Sequence, residues 1–175
     1  MISQFVSDMA GLVSGLVSAG ARDILFLTLP DLGLTPAGLA AELLVPGAAA
    51  MASSLSDQVN AAMLGVLGPL GAIPGVDLDV LDISAVLRGI VADPAAVGLA
   101  DVTSACALDP ACIADPSAAL FWDGVHPTTA GHALFARAAL AAIGVPEPAT
   151  LLLVMVAFVA LAWARRPRRE AVRIA

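Results

Sequence analysis

Ile24-Leu25-Phe26-Leu27-Thr28-Leu29 is a short apolar run stopped by Pro30, and its length and composition suit a strand buried in a parallel sheet. On its N-terminal side, Ile2, Phe5, Val6, Met9, Leu12, Val13, Leu16 and Val17 recur at the i, i+3, i+4, i+7 spacing of an amphipathic helix that Gly20 ends. Helix into strand is half of an α/β unit, and the pattern repeats downstream. Leu55, Val59, Met63, Val66 and Leu67 predict a second helix over 53–67, Gly71 to Gly75 a turn-rich link, and Val76 to Ile83 a second strand. Ser84 is expected to cap a short helix over 85–92. Asp93-Pro94 then opens an irregular passage reaching Phe121. A last helix is expected over 128–143, with Leu134, Phe135, Ala138 and Ile143 turned inward. Two strands alternating with helices imply a parallel sheet covered by helices, yet two are too few for a complete one. The body therefore reads as the second half of an α/β domain.

With 59% hydrophobic residues in 175, the chain has ample material for a core, which argues against disorder. Its charge is unevenly placed. Only Arg22, Arg88 and Arg137 lie in the first 164 residues, whereas five arginines crowd into the last eleven. An acidic body without clustered Lys or Arg excludes nucleic acid as its partner. Cys106 and Cys112 flank the turn-forming Asp109-Pro110, so a local disulfide is expected, and with it an oxidising compartment. No CxxC or neighbouring His accompanies them, which argues against a metal site; Asp77 and Asp79 read as a solvated strand face. No cofactor is expected.

The C-terminal part, 144–175, is a separate unit. Residues 149–164, ATLLLVMVAFVALAWA, carry no charge and run directly into the arginine cluster 165–169. As a helix, 16 residues span about 24 Å, enough with snorkelling arginines and an interfacial Trp163 to predict a membrane segment. The positive-inside rule keeps the arginines in the cytoplasm and puts the body on the far side. Val145, Pro146, Glu147 and Pro148 precede the apolar run. This order of VPEP, apolar helix and arginines resembles the PEP-CTERM sorting signal of Gram-negative bacteria. The resemblance implies export, transient anchoring in the cell envelope, and removal of the tail by an exosortase to leave a cell-surface or extracellular protein. Two prolines keep the segment extended, a form suited to a protease cleft. Met1 to Gly20 lacks a basic n-region and contains Asp8, so it is no signal peptide. An export tail without an export signal leads to the expectation of a truncated copy, a fragment or a mis-started reading frame.

The chemistry sits in Leu120-Phe121-Trp122-Asp123-Gly124-Val125-His126-Pro127-Thr128. An aspartate three residues before a histidine, in a Gly- and Pro-bounded turn, lets the carboxylate accept a hydrogen bond from Nδ1 and leaves Nε2 free to take a proton. A helix starting near Thr128 would disfavour the imidazolium, so the carboxylate partner is needed for the base to gain a proton. Phe121 and Trp122 are read as core packing that positions the turn, and His132 as a partly buried helix residue.

FWDGVHPTTAGH, residues 121–132, closely resembles the C-terminal block of the GDSL (SGNH) family of ester hydrolases. ILFLTLPDLGLTPAG at 24–38 and ADPAAVGLADVTSAC at 92–106 are similar to its phospholipase, lecithinase and haemolysin branch. The resemblance covers 1–143 and implies the C-terminal half of a flavodoxin-like, three-layer domain with a parallel sheet. It further implies Asp123 as orienting acid, His126 as general base, and an ester or lipid as substrate. The family's earlier blocks are absent: the sequence holds no Gly-Asp-Ser, no placeable oxyanion glycine and no Gly-x-Asn-Asp. Ser14, Ser53, Ser54 and Ser84 all read as cap or surface serines, so the chain alone is expected to be nearly inert. The alternative reading is a non-catalytic surface or matrix protein on a hydrolase-like scaffold.

Overall fold

The computed structural model describes residues 2–144, 154–158, 161 and 163. Met1–Ile143 is one compact unit and Gly144–Ala175 a second. Val145, Pro146, Glu147, Pro148, the arginine cluster and most of the expected membrane helix over 149–164 lie outside the described residues. Residues 154–158, 161 and 163 are helical, and among the described residues no helix is long and apolar enough to cross a membrane.

The first unit is a helix-rich α/β assembly with small parallel sheets. Helix α1 (Ile2–Ser18) closes at Gly20, whose φ of +103° a side chain would resist, and the chain enters β1 (Asp23–Leu27). Helices α2 (Pro36–Leu44) and α3 (Ala48–Gly71) follow, then β2 (Asp77–Leu81), which pairs in parallel with β1, Ile24 opposite Leu78 and Phe26 opposite Val80. Ile24, Phe26 and Leu78 face Val6 and Val13 of α1 and Val59, Met63 and Leu67 of α3, forming one apolar cluster. The β1 loop is fastened to α3 by its polar side chains. Asn60 accepts from the Leu29 N–H and donates to the Leu29 carbonyl, both at 2.9 Å, and Ser56 accepts from the Leu32 N–H at 3.1 Å.

Helix α4 (Ile83–Ala92) leads to β3 (Asp101–Ala105), a short helix α5 (Pro110–Ala114), β4 (Ala119–Phe121) and α6 (Thr129–Ala142). β3 and β4 form a second parallel pair. Leu87 and Ile90 of α4, Val102, Leu120, Phe121 and the α6 residues Leu134 and Phe135 make the second core. Leu120 is fully buried, a position where truncation to Ala costs about 2–5 kcal/mol.

Several expectations are corrected. The passage from 93 to 121 is not irregular: it holds β3, α5 and β4, short elements whose burial is not periodic. Helix α2 was not foreseen, although Thr35-Pro36 is a helix-start signal and the Thr35 hydroxyl caps the Gly38 N–H at 3.2 Å. α3 runs well beyond 53–67 at both ends. Asp82, not Ser84, caps α4, accepting from the Ala85 N–H at 2.9 Å, and Ser84 is buried. Ile143 is exposed, not inward, and Trp122, at 41% exposure, is not core packing although Phe121 is.

Candidate active site

Residues 122–127 form a tight excursion between β4 and α6. The N–H of Trp122 donates to the His126 carbonyl at 2.7 Å and that of Thr128 to the Leu120 carbonyl at 2.9 Å, with Phe121 and Pro127 bridged antiparallel. Thr128 anchors the exit: its hydroxyl donates to the Ala119 carbonyl at 2.5 Å and accepts from the Gly131 N–H at 3.1 Å. Gly131 is required there, because a Cβ would stand 2.7 Å from the Leu120 carbonyl oxygen and push α6 off β4. On the entry side, the Ala107 N–H donates to the Trp122 carbonyl at 2.7 Å. Ala107 lies in the loop that Cys106 and Cys112 close, their sulfurs bonded with Cα atoms 5.2 Å apart. Gly124 contributes its carbonyl to the Ala37 N–H at 2.9 Å, satisfying an amide in the first turn of α2.

Inside this frame Asp123 makes an Asx turn. Its Oδ1 accepts from the backbone N–H of Val125 at 2.8 Å and of His126 at 2.7 Å. The His126 Nδ1 lies 2.8 Å from Oδ2 and 3.0 Å from Oδ1 of the same carboxylate. The backbone N–H of His126, then that of Val125, then the His126 ring hold the Asp123 carboxyl down at about 2. Asp123 is thus ionised at neutral pH and favours the His126 tautomer that donates from Nδ1. The His126 side chain is 77% exposed, and its Nε2 makes no hydrogen bond with any described residue. A cavity of about 280 Å³ lies beside the turn, at the carboxyl ends of β1 and β2, with Leu27, Ile83, Val125, Pro127 and Phe135 in its walls. His132 lines it too and is exposed, not partly buried.

Among the described residues no serine hydroxyl meets His126. Ser53 donates to Asp31 Oδ1 at 2.6 Å, Ser54 accepts from Gln58 at 3.1 Å, Ser14 is exposed on α1, and the Ser84 hydroxyl is buried without a hydrogen-bond partner. No group of His, Cys, Asp and Glu among the described residues is arranged to hold a metal ion. The network centred on Asp31 escaped the sequence reading. This buried carboxylate takes the Gly33 N–H at 3.1 Å and Arg88 Nε at 2.7 Å, while Arg88 also reaches Asp57 at 2.8 Å. Burial pushes the Asp31 carboxyl up, but hydrogen bonds from Ser53 and Arg88 outweigh it and hold the group below its ordinary value. The only signal for it was an Asp two residues before a Gly after a strand.

Comparison with known proteins gives the family. A family model described as GDSL-like Lipase/Acylhydrolase matches residues 1–139, and one described as PEP-CTERM protein-sorting motif matches residues 144–169. Esterase EstA of Pseudomonas aeruginosa and that of Pseudomonas putida are each 35% identical over 148 residues, covering 75% of this chain. A GDSL esterase/lipase of Arabidopsis thaliana is 34% identical over 134 residues, 71% of this chain. The chain spans 21% of the length of the two EstA proteins and 37% of the plant protein.

Proposed function

The chain belongs to the GDSL-like lipase/acylhydrolase family and carries a PEP-CTERM sorting motif, and from that premise we propose that it is the C-terminal part of an exported carboxylic ester hydrolase. The observation that carries this reading is the Asp123–His126 pair, with Nδ1 held at 2.8 Å and Nε2 open. Asp123 orients the ring and stabilises the imidazolium that forms. His126 Nε2 takes the proton of a serine hydroxyl as its oxygen attacks the ester carbonyl, then returns it to the departing alkoxide. Water hydrolyses the acyl-enzyme by the same proton transfers in reverse. The serine and the oxyanion donors come from blocks that this sequence does not contain, so residues 1–143 are a partial domain, inert by itself. Exposed Leu27 on β1, in a sheet that has two strands among the described residues, supports further strands completing the unit.

The test joins this chain behind the Gly-Asp-Ser and Gly-x-Asn-Asp blocks of one of the related esterases and follows a short-chain p-nitrophenyl ester. The chain alone should give no His126-dependent hydrolysis, and the joined protein should give hydrolysis that His126→Ala abolishes. A second reading, a non-catalytic surface or matrix protein, is favoured by the finding that among the described residues no serine hydroxyl hydrogen-bonds His126. A folded joined protein that stays inert would establish it and discard the first.

The sorting motif supports the rest of the proposal. Residues 149–164 anchor the exported protein in the membrane, and an exosortase-type enzyme cleaves near Val145-Pro146-Glu147-Pro148 to release it at the bacterial cell surface. Mass spectrometry of protein from an exosortase-bearing host should find the chain ending near Pro148; an intact Ala175 terminus would refute processing.

A further inference from the structure

The connection from α2 to α3 exposes a cluster of apolar side chains at its tip. Leu43, Leu44 and Met51 are 87%, 83% and 73% exposed, and Val45 is also exposed between them. Their surroundings are Pro46, Gly47 and a run of alanines, and Glu42 is the only charged residue between Asp31 and Asp57. That carboxylate is folded back on the backbone, its two oxygens accepting from the N–H groups of Gly47 and Ala49 at 2.9 Å each. The Val45 N–H donates to the Ala41 carbonyl at 2.8 Å, and that of Ala48 to the Val45 carbonyl at 3.0 Å. The tip thus presents bare side chains over a backbone in which the N–H groups of Val45, Gly47, Ala48 and Ala49 already have partners, which lowers the cost of bringing them to an apolar medium. From this tip a groove of about 700 Å³ runs between α2 and the disulfide loop, with Leu39, Leu43, Ala105 and the 85%-exposed Leu108 in its walls and Gly124 among its lining. It therefore connects the tip with the turn that carries Asp123 and His126.

We propose that the tip formed by Leu43, Leu44, Val45 and Met51 docks into the surface of zwitterionic phospholipid, with the groove receiving an acyl chain on its way to His126. Charge selects this occupant. The body is acidic and no Lys or Arg stands on the tip, so an anionic surface would repel it, whereas a zwitterionic one asks only for apolar area. A protein partner would call for a polar rim with matched hydrogen bonds, which alanine, glycine and proline do not supply. The use of the groove rests on the ester-hydrolase reading above; the docking itself does not.

Two full-length variants test it, Leu44→Cys and Ala96→Cys, each carrying an environment-sensitive fluorophore attached under conditions that leave the Cys106–Cys112 bond closed. With phosphatidylcholine vesicles the label at 44 should shift to the blue and be quenched by brominated lipid, while the label at exposed position 96 stays in water. Adding phosphatidylglycerol should weaken the effect, and Leu43→Ser with Met51→Ser, both changes in exposed side chains, should abolish it. Vesicle-bound protein with both labels in water would mean that the C-terminal segment alone binds, and would overturn the proposal. So would equal shifts at both positions, or a label at 44 already buried without vesicles in a concentration-dependent dimer. Docking of position 44 without His126-dependent hydrolysis in the joined protein would keep this inference and remove the ester-hydrolase reading; hydrolysis without docking would do the reverse.

Discussion

The loop after β1 and the turn after β4 are built on the same local plan. Each follows a strand, and each holds an aspartate whose Oδ1 accepts a backbone N–H two residues on, Gly33 for Asp31 and Val125 for Asp123. Each ends in a threonine that caps the next helix through the N–H of a glycine three residues later, Thr35 to Gly38 and Thr128 to Gly131. Each glycine lies against a backbone carbonyl, of Leu32 in one case and Leu120 in the other, leaving no room for a Cβ. What differs is the second oxygen. In the buried loop Asp31 Oδ2 receives Arg88, whereas in the exposed turn Asp123 Oδ2 receives the ring of His126. One local design therefore serves as a structural tie to a guanidinium where it is covered and as a carboxylate–imidazole pair where it is open to solvent.

Exchanging the aspartates is the strongest way to break the comparison. In the joined protein, Asp123→Asn should lower kcat about 10⁴-fold by losing the tautomer and charge that His126 needs, while Asp31→Asn should leave kcat nearly unchanged. Stopped assays on the two purified variants check this, and a comparable rate loss for Asp31→Asn would end the distinction. Next in size, Gly38→Ala and Gly131→Ala should each destabilise the body by about 1–3 kcal/mol through forced displacement of a helix, read as lowered urea midpoints. Midpoints unchanged in one variant would show that its helix does not depend on the close approach.

The smaller effects sharpen the contrast. Asp31→Ala should cost about 2 kcal/mol, because it removes hydrogen bonds to a charged partner at a buried site, and Asp123→Ala should cost less. The pH dependence has a definite sign. The folded Asp123 carboxyl titrates at about 2, below its ordinary 3.8, so its support of the turn is fully present above about 4 and is lost as pH falls through about 2. Asp31, also lowered, weakens in the same direction. NMR signals of the Val125 and His126 amides should hold their positions down to pH 4 and move below it; movement near pH 5 would contradict the hydrogen bonds assigned to Asp123.

The alternation of helix and strand, the β1–β2 region and the candidate pair at 123 and 126 were all legible in the order of residues. They depend on periodicity and on groups three residues apart, which local chain geometry brings together. The short pieces were not legible. β4 has only three residues and is recognisable as a strand only because β3 pairs with it, and α2 carries no stronger local signal than the Thr35-Pro36 pair at its start. Which aspartate is buried was not legible, since both sit in similar Asp-to-Thr-to-Gly contexts. Arg88 lies 57 positions from Asp31 and Ser53 lies 22, so no local spacing links them. By itself the sequence determined which groups could do chemistry, because that is written in side-chain type and short spacing. Only the tertiary structure decided which aspartate is buried against a guanidinium and which faces solvent beside an imidazole, because burial depends on what distant segments pack around each loop.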